Sequence, residues 1–133
     1  AQRANKKKQV KTIHLKIKNQ RKDYIHKLTT SIVKLNDLVV VGDLNLKASK
    51  FTNDAGFGMI KSFLKYKTIR FGKILKLVNE AWTTQRCSHC KELTGPKGLN
   101  GLSVRDWKCS SCNSLHSRDV NAAINILNLG LGH

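Results

Sequence analysis

All four cysteines of this 133-residue chain stand in two pairs, Cys87-x-x-Cys90 and Cys109-x-x-Cys112, with 18 residues between them. No other feature limits the possible folds so much. Two residues between ligands let one tight turn present both thiolates to the same ion. Two such turns close a tetrahedral four-sulfur site that leaves no position for water. The spacing is that of a zinc ribbon, so the expected cofactor is a structural Zn²⁺. Two disulfides are disfavoured because the first residues are too polar for the apolar part of an export signal. A redox C-x-x-C motif would not explain two pairs. His89, inside the first turn, and His116, just past the second, are read as bystanders or phosphate contacts.

Charge narrows the partners. There are 25 Lys and Arg against 8 Asp and Glu, a formal charge of +17. Residues 1–36 alone carry 11 basic side chains and one acid, Asp23. Charge this dense, weighted to one end, points to a polyanion, because each cation near a phosphate releases condensed counterions. The basic segment offers no Trp or Phe face to insert into a membrane, and no run approaches the roughly 18 apolar residues of a spanning helix. The expected place of action is inside the cell.

The spacing of Val10, Ile13, Ile17, Tyr24, Leu28, Ile32 and Leu35 predicts a long helix with those residues on its packed face. Leu38-Val39-Val40-Val41 reads as a strand apolar on both faces, with Gly42 and Asp43 at its end. Asn53-Asp54 are candidate caps for a helix to about Phe71, using Met59, Ile60, Phe63, Leu64 and Tyr66 for its buried side, and Gly72 ends it. Residues 74–78 form a second strand, and Gly95-Pro96 and Asn100-Gly101 mark a turn-rich loop within the cysteine module. The last helix runs over 118–129, with Val120, Ala123, Ile124 and Leu127 at packing spacing. Trp82 is expected in the core. This order is α/β. Two strands cannot bury helices on both faces, so the sheet reads as incomplete, which predicts a dimer or a partner chain.

Three segments then carry a resemblance: Thr83-Thr84-Gln85-Arg86-Cys87-Ser88-His89-Cys90, Trp107-Lys108-Cys109-Ser110-Ser111-Cys112, and His116-Ser117-Arg118-Asp119-Val120-Asn121-Ala122-Ala123. They resemble the C-terminal part of the TnpB (OrfB-type) proteins of insertion sequences. Residues 19–30 and 39–47 also resemble that family's helix and second nuclease strand. The resemblance implies an incomplete RNase H-like, RuvC-type core with an inserted four-cysteine zinc ribbon. The divisions are a basic helical segment (1–36), a strand-helix-strand (37–83), the ribbon (84–115) and the last helix of the core (116–133).

By the same resemblance the function is RNA-guided DNA cleavage in a prokaryotic cytoplasm, near the nucleoid, with DNA and a guide RNA as partners. Such a core uses three carboxylates to hold two divalent ions, usually Mg²⁺. Asp119 matches the third. The middle one is a Glu where this chain has Gly42, and the first belongs to a strand before residue 1. Asp43 is adjacent but faces the other side of a regular strand. With those ligands missing, the expectation is weak Mg²⁺ binding and no cleavage, leaving a nucleic-acid binder. The expected phosphate contacts are Arg3, Lys6, Lys7, Lys8, Lys11, Lys18, Arg21 and Lys22 on the basic helix. On the ribbon they are Arg86, Arg105 and Lys108, with His89 and Trp107 beside them. Trp107 is either a base-stacking surface or a core residue against the knuckle. The competing readings are an endonuclease completed by another chain or a longer polypeptide, and a free-standing zinc-ribbon module that binds DNA by charge.

Overall fold

A computed structural model describes residues 2–43 and 55–133. The order is α1 (Gln2–Leu35), β1 (Leu38–Asp43), α2 (Ala55–Arg70), β2 (Ile74–Asn79), α3 (Gly98–Gly101), β3 (Asp106–Lys108), β4 (Leu115–Ser117) and α4 (Arg118–Leu131). The candidate caps Asn53 and Asp54 lie outside the described residues. Two compact units are formed, one of residues 1–39 and 46–75, the other of 40–45 and 76–133.

In the first unit α1 is an uninterrupted helix of 34 residues, free of Gly and Pro and rich in Lys, Gln and Arg, which cost little in a helix. Its packed face is not the expected stripe. Val10, Ile13, Ile17, Tyr24, Leu28 and Leu35 are all exposed, whereas Ile25, Thr29 and Val33 are buried. The packed rows are therefore i, i+4 and i+8 around a threonine, set by where α2 lies. From α2, Leu64, Lys67 and Thr68 are buried, and Tyr66 is exposed.

A buried lysine explains the choice. Lys67 Nζ donates to the carbonyl of His26 at 2.8 Å and to the hydroxyls of Thr29 and Thr30 at 2.8 and 2.9 Å. It also stands 5.3 Å from the centre of the Phe63 ring, which stacks on His26. Burial pushes its pKa below the usual lysine value. Three acceptors offset that cost, so the polar Thr29 row is the one buried. After α2 the chain turns at Gly72, whose φ of 66° suits a residue without Cβ. There Lys73 N–H reaches Thr68 O at 2.8 Å, the closing bond of a Schellman motif.

β1 and β2 pair as a two-stranded sheet. Ile74 N–H donates to Asp37 O, joining the strand starts, and Glu80 beyond β2 lies against Gly42 near the end of β1. The strands therefore run in the same direction, a β-α-β unit. As the sequence implied, the sheet is narrow: among the described residues β1 has one neighbour.

In the second unit β3 and β4 form an antiparallel hairpin with Trp107 opposite His116. The last helix lies along β1. A Cβ on Gly130 would collide with Val40 Cγ1 and Cγ2, so glycine permits the close approach. The expected apolar stripe of this helix is again exposed, with Val120 at 58%, Ile124 at 42% and Leu127 at 44%, while Asn121 and Asn125 are buried. Trp82 is also a correction: it is 59% exposed, on a turn where its φ is 68°. The spacings of three and four residues identified the helices but could not say which face meets a neighbour.

Replacing Lys67 by Met should lower stability by about 1–3 kcal/mol, because the Thr29 and Thr30 hydroxyls and the His26 carbonyl lose their shared donor. Thermal unfolding followed by circular dichroism would measure it. A neutral or stabilising result would mean that this polar junction does not set the helix pairing.

Candidate metal centre and strand-end carboxylates

Each cysteine pair sits on a turn of the same construction. In the first, Cys87 N–H donates to Glu92 O and Lys91 N–H to Cys87 O; in the second, Cys109 N–H donates to Ser114 O and Asn113 N–H to Cys109 O. The fourth residue after each leading cysteine, Lys91 and Asn113, takes a positive φ of 71° and 63°. That left-handed residue folds the turn back on itself, so two thiols two residues apart face the same point.

The four sulfurs lie within 4.8 Å of one another and form a cluster that can hold a metal ion such as zinc. Cys87 Sγ is 3.7 Å from Cys112 Sγ, and Cys90 Sγ is 3.6 Å from Cys109 Sγ. A tetrahedron with Zn–S of about 2.3 Å has edges of about 3.8 Å, so the spacing fits zinc. Cys87 and Cys109 are fully buried.

Polar groups around the sulfurs favour thiolates. Thr94 Oγ1 is 3.0 Å from Cys109 Sγ, and with the Cys112 N–H it holds that thiol down to about 6. The Ser114 side chain and backbone lower Cys112. The Glu92 N–H pulls Cys90 down, but burial and the three neighbouring sulfurs push it up to about 11. Four sulfurs this close favour a cation among them, since they cannot all ionise without one. His116 is no bystander: its Nε2 is 3.0 Å from Cys87 Sγ, and its ring lies 4.7 Å from that of Trp107. Trp107 is half-buried beside it. His89 is exposed.

A buried amide pair holds the first knuckle against the last helix, and this went unread in the sequence. Asn121 and Asn125 each donate to Arg86 O, at 2.8 and 2.7 Å, and both reach Thr83 O. Asn121 Oδ1 in turn accepts the Ser88 N–H at 2.8 Å. The available signal was two asparagines four residues apart in a helix, where they share a face.

The second constellation lies at the C-terminal ends of β1 and β2. Gly42 is buried, and a Cβ placed there would collide with Glu80 Oε2. The Glu80 carboxylate thus fills the volume of the side chain that Gly42 lacks. Burial, and then the Asp43 charge, raise its pKa above the usual carboxylate value. Asp119 lies in the first turn of α4, 79% exposed, with its carboxylate 3.6 Å from Arg105. These oxygens are hard donors of the kind Mg²⁺ takes, carried by three segments of one unit. Among the described residues they do not close to the spacing that the four sulfurs reach.

The expected phosphate contacts are all available to solvent: Arg3, Lys6, Lys7, Lys8, Lys11, Lys18, Arg21 and Lys22 on α1, and Arg86, Arg105 and Lys108 on the ribbon. Arg86 and Arg105 each have a partner already, Lys91 O and Asp119 respectively. No helix among the described residues is long and apolar enough to cross a membrane.

The "Cas12f1-like, TNB domain" family matches residues 57–126, and the "Probable transposase" family OrfB_IS605 matches residues 1–51. A protein of Streptomyces pristinaespiralis named as a candidate RNA-guided DNA endonuclease is 35% identical over 98% of this chain and 34% of its own length. A similarly named Escherichia coli protein is 30% identical over 93% of this chain and 36% of its own. The chain therefore spans about a third of these relatives. In fold it is similar to the protein of a Cas12f1–sgRNA–target DNA complex, with a TM-score of 0.72, 23% identity and coverage of 92% of this chain and 37% of that one. A CRISPR-Cas12f ternary complex gives a TM-score of 0.68.

Truncating Asn125 to Ala would leave the Arg86 and Thr83 carbonyls short of a donor and loosen the knuckle. The expected outcome is a loss of about 1–3 kcal/mol together with weaker zinc retention against a chelator. Zinc release timed with a colorimetric chelator, beside thermal unfolding, measures both. Unchanged release would separate the amide pair from the metal centre.

Proposed function

The chain belongs to the TnpB/OrfB-type proteins, and we propose that it is the nucleic-acid-binding C-terminal part of an RNA-guided DNA endonuclease, with Zn²⁺ held structurally by Cys87, Cys90, Cys109 and Cys112. The observation that carries this reading is the four-sulfur cluster locked by Asn121 and Asn125 to the helix that bears Asp119. This supports the reading because the cysteine cluster and Asp119, which matches the third carboxylate by the family pattern, fall in one compact unit. The solvent-facing cations of α1, with Arg86, Arg105 and Lys108, would meet phosphates of DNA and of a guide RNA.

Mg²⁺, where bound, would polarise a phosphodiester and activate water. Asp119 is the residue of this chain that would hold it by the family pattern. Residues 1–133 offer no match for the first of the three carboxylates, so the chain by itself is proposed to cut no DNA. Mg²⁺- or Mn²⁺-dependent cutting that disappears in Asp119→Ala would overturn that proposal. A second reading, cleavage when the site is completed by another chain or a longer polypeptide, is favoured by one observation: the carboxylate of Glu80 in the space beside Gly42.

Purification at moderate salt followed by sequencing of the retained nucleic acid tests the guided reading. One defined RNA species is the expected result. A random mixture, released steeply as salt rises, would instead mean a zinc-ribbon module that binds by charge.

A further inference from the structure

Of the two tryptophans, Trp107 is half-buried against His116, while Trp82 is 59% exposed. The exposure of Trp82 is built into its turn. Its φ of 68° is unfavourable for a bulky side chain and persists only where the surroundings enforce it, as they do at ligand sites. The enforcing contacts are several. Trp82 O accepts the N–H groups of Gln85 and Arg86 at 3.0 and 2.9 Å, and Thr83 N–H returns to Glu80 O at 3.2 Å. Thr83 itself is buried, and its carbonyl accepts the Asn125 amide at 2.8 Å. The indole is therefore held on a braced turn and offered to solvent. It lines a cavity of about 510 Å³ that it shares with Asn79 of β2 and with Asn128 and Leu129 of α4. That volume falls in the range of roughly 300–1,000 Å³ typical of small-ligand sites.

Two cations line the same cavity, Arg86 entering the first cysteine pair and Lys91 leaving it. The knuckle holds both in place: Arg86 Nη1 donates to Lys91 O at 2.9 Å, and Lys91 Nζ donates to Ser88 O at 3.0 Å. Among the described residues that line the cavity there is no carboxylate. Each part suits one part of an unpaired nucleotide. An exposed indole face stacks on a base of any identity. The amides of Asn79 and Asn128 carry the donors and acceptors that meet base edges. The guanidinium and the ammonium meet the phosphate. A base inside a duplex is covered by its neighbours in the stack and cannot use such a site. A protein surface fits less well, because cations without an acidic partner, in a chain of formal charge +17, favour a polyanion. We propose that Trp82, with Arg86 and Lys91, forms a site for an unpaired nucleotide of a single strand, an inference that rests on the nucleic-acid-binding function proposed above.

The test titrates the zinc-loaded chain with oligothymidylate, with oligouridylate of the same length, and with a blunt DNA hairpin. The chain has two tryptophans, so NMR shows two indole N–H signals, which Trp82→Tyr assigns. The Trp82 signal should move with either single strand and stay in place with the hairpin. The larger of the two single-strand shifts identifies DNA or RNA as the preferred source of the nucleotide. Trp82→Ala should weaken single-strand binding about tenfold, the worth of one stacked base, and Trp82→Tyr should keep most of it. Both variants should leave hairpin binding, thermal unfolding and zinc retention as in the parent chain. Lys91→Gln should lower the slope of log affinity against log salt by about 0.7 for the single strands. The site is overturned if Trp82→Ala binds single strands as well as the parent, if single strand and hairpin lose equally, or if Lys91→Gln leaves the slope unchanged. An indole signal that stays in place while the strand binds would also overturn it, and would leave the exposed Trp82 to a protein partner. In each of these cases the cations of α1 still bind the oligonucleotides. Failure of the nucleic-acid-binding reading is distinct, because then neither the single strands nor the hairpin bind.

Discussion

The second unit depends on its four-sulfur cluster as other small domains depend on a hydrophobic core. Among its described residues, the only fully buried apolar side chains are Cys87 and Cys109. A polypeptide of this size that buries so little apolar surface needs a cross-link, and a metal bound by four thiolates is one. The rest of the unit is built from that point outward. The two turns, each with one left-handed residue, aim the sulfurs, the β3–β4 hairpin sets Trp107 against His116 beside Cys87, and the asparagines of α4 hold the turn leading into the first cysteine pair.

This arrangement gives α4 an unusual division of labour. Its buried face is polar: Asn121 and Asn125 satisfy backbone carbonyls that would otherwise be costly to bury. Its apolar residues Val120, Ile124 and Leu127 stay open. The helix is thus positioned by directional hydrogen bonds at one end and by the glycine contact with Val40 at the other. Directional contacts fix rotation about the helix axis more tightly than an apolar stripe would. That matters for Asp119, whose proposed role depends on where its carboxylate points.

The sequence was legible where a rule is local. Cysteine spacing, the glycine after α2, the β-branched run at 38–41 and the three-and-four rhythm of α1 and α4 each depend on a few neighbours, and each matches the observed element. The choice of packed face was not legible, because it depends on a partner far away in the chain. Lys67 reaches Thr29 and Thr30 across 38 and 37 residues, and a buried lysine runs against every compositional expectation. Trp82 was misassigned for a related reason: a large aromatic suggests a core, yet the turn that carries it adopts a positive φ and directs it to solvent. The role of His116 also required three dimensions, since Cys87 lies 29 residues before it.

Position 42 shows what a linear reading leaves out: the group that fills the space beside it. Compared position by position, Gly42 means a missing ligand, and Asp43 on the opposite face of the strand cannot answer for it. Parallel pairing changes the comparison, because the residue just beyond β2 becomes the neighbour of the residue near the end of β1. A sheet edge offers equivalent volumes from adjacent strands. A long side chain on one strand can therefore occupy the volume that an absent side chain on the next leaves open. What fills the space at Gly42 is a carboxylate 38 residues away in the chain, a neighbour that only the pairing of β1 with β2 reveals.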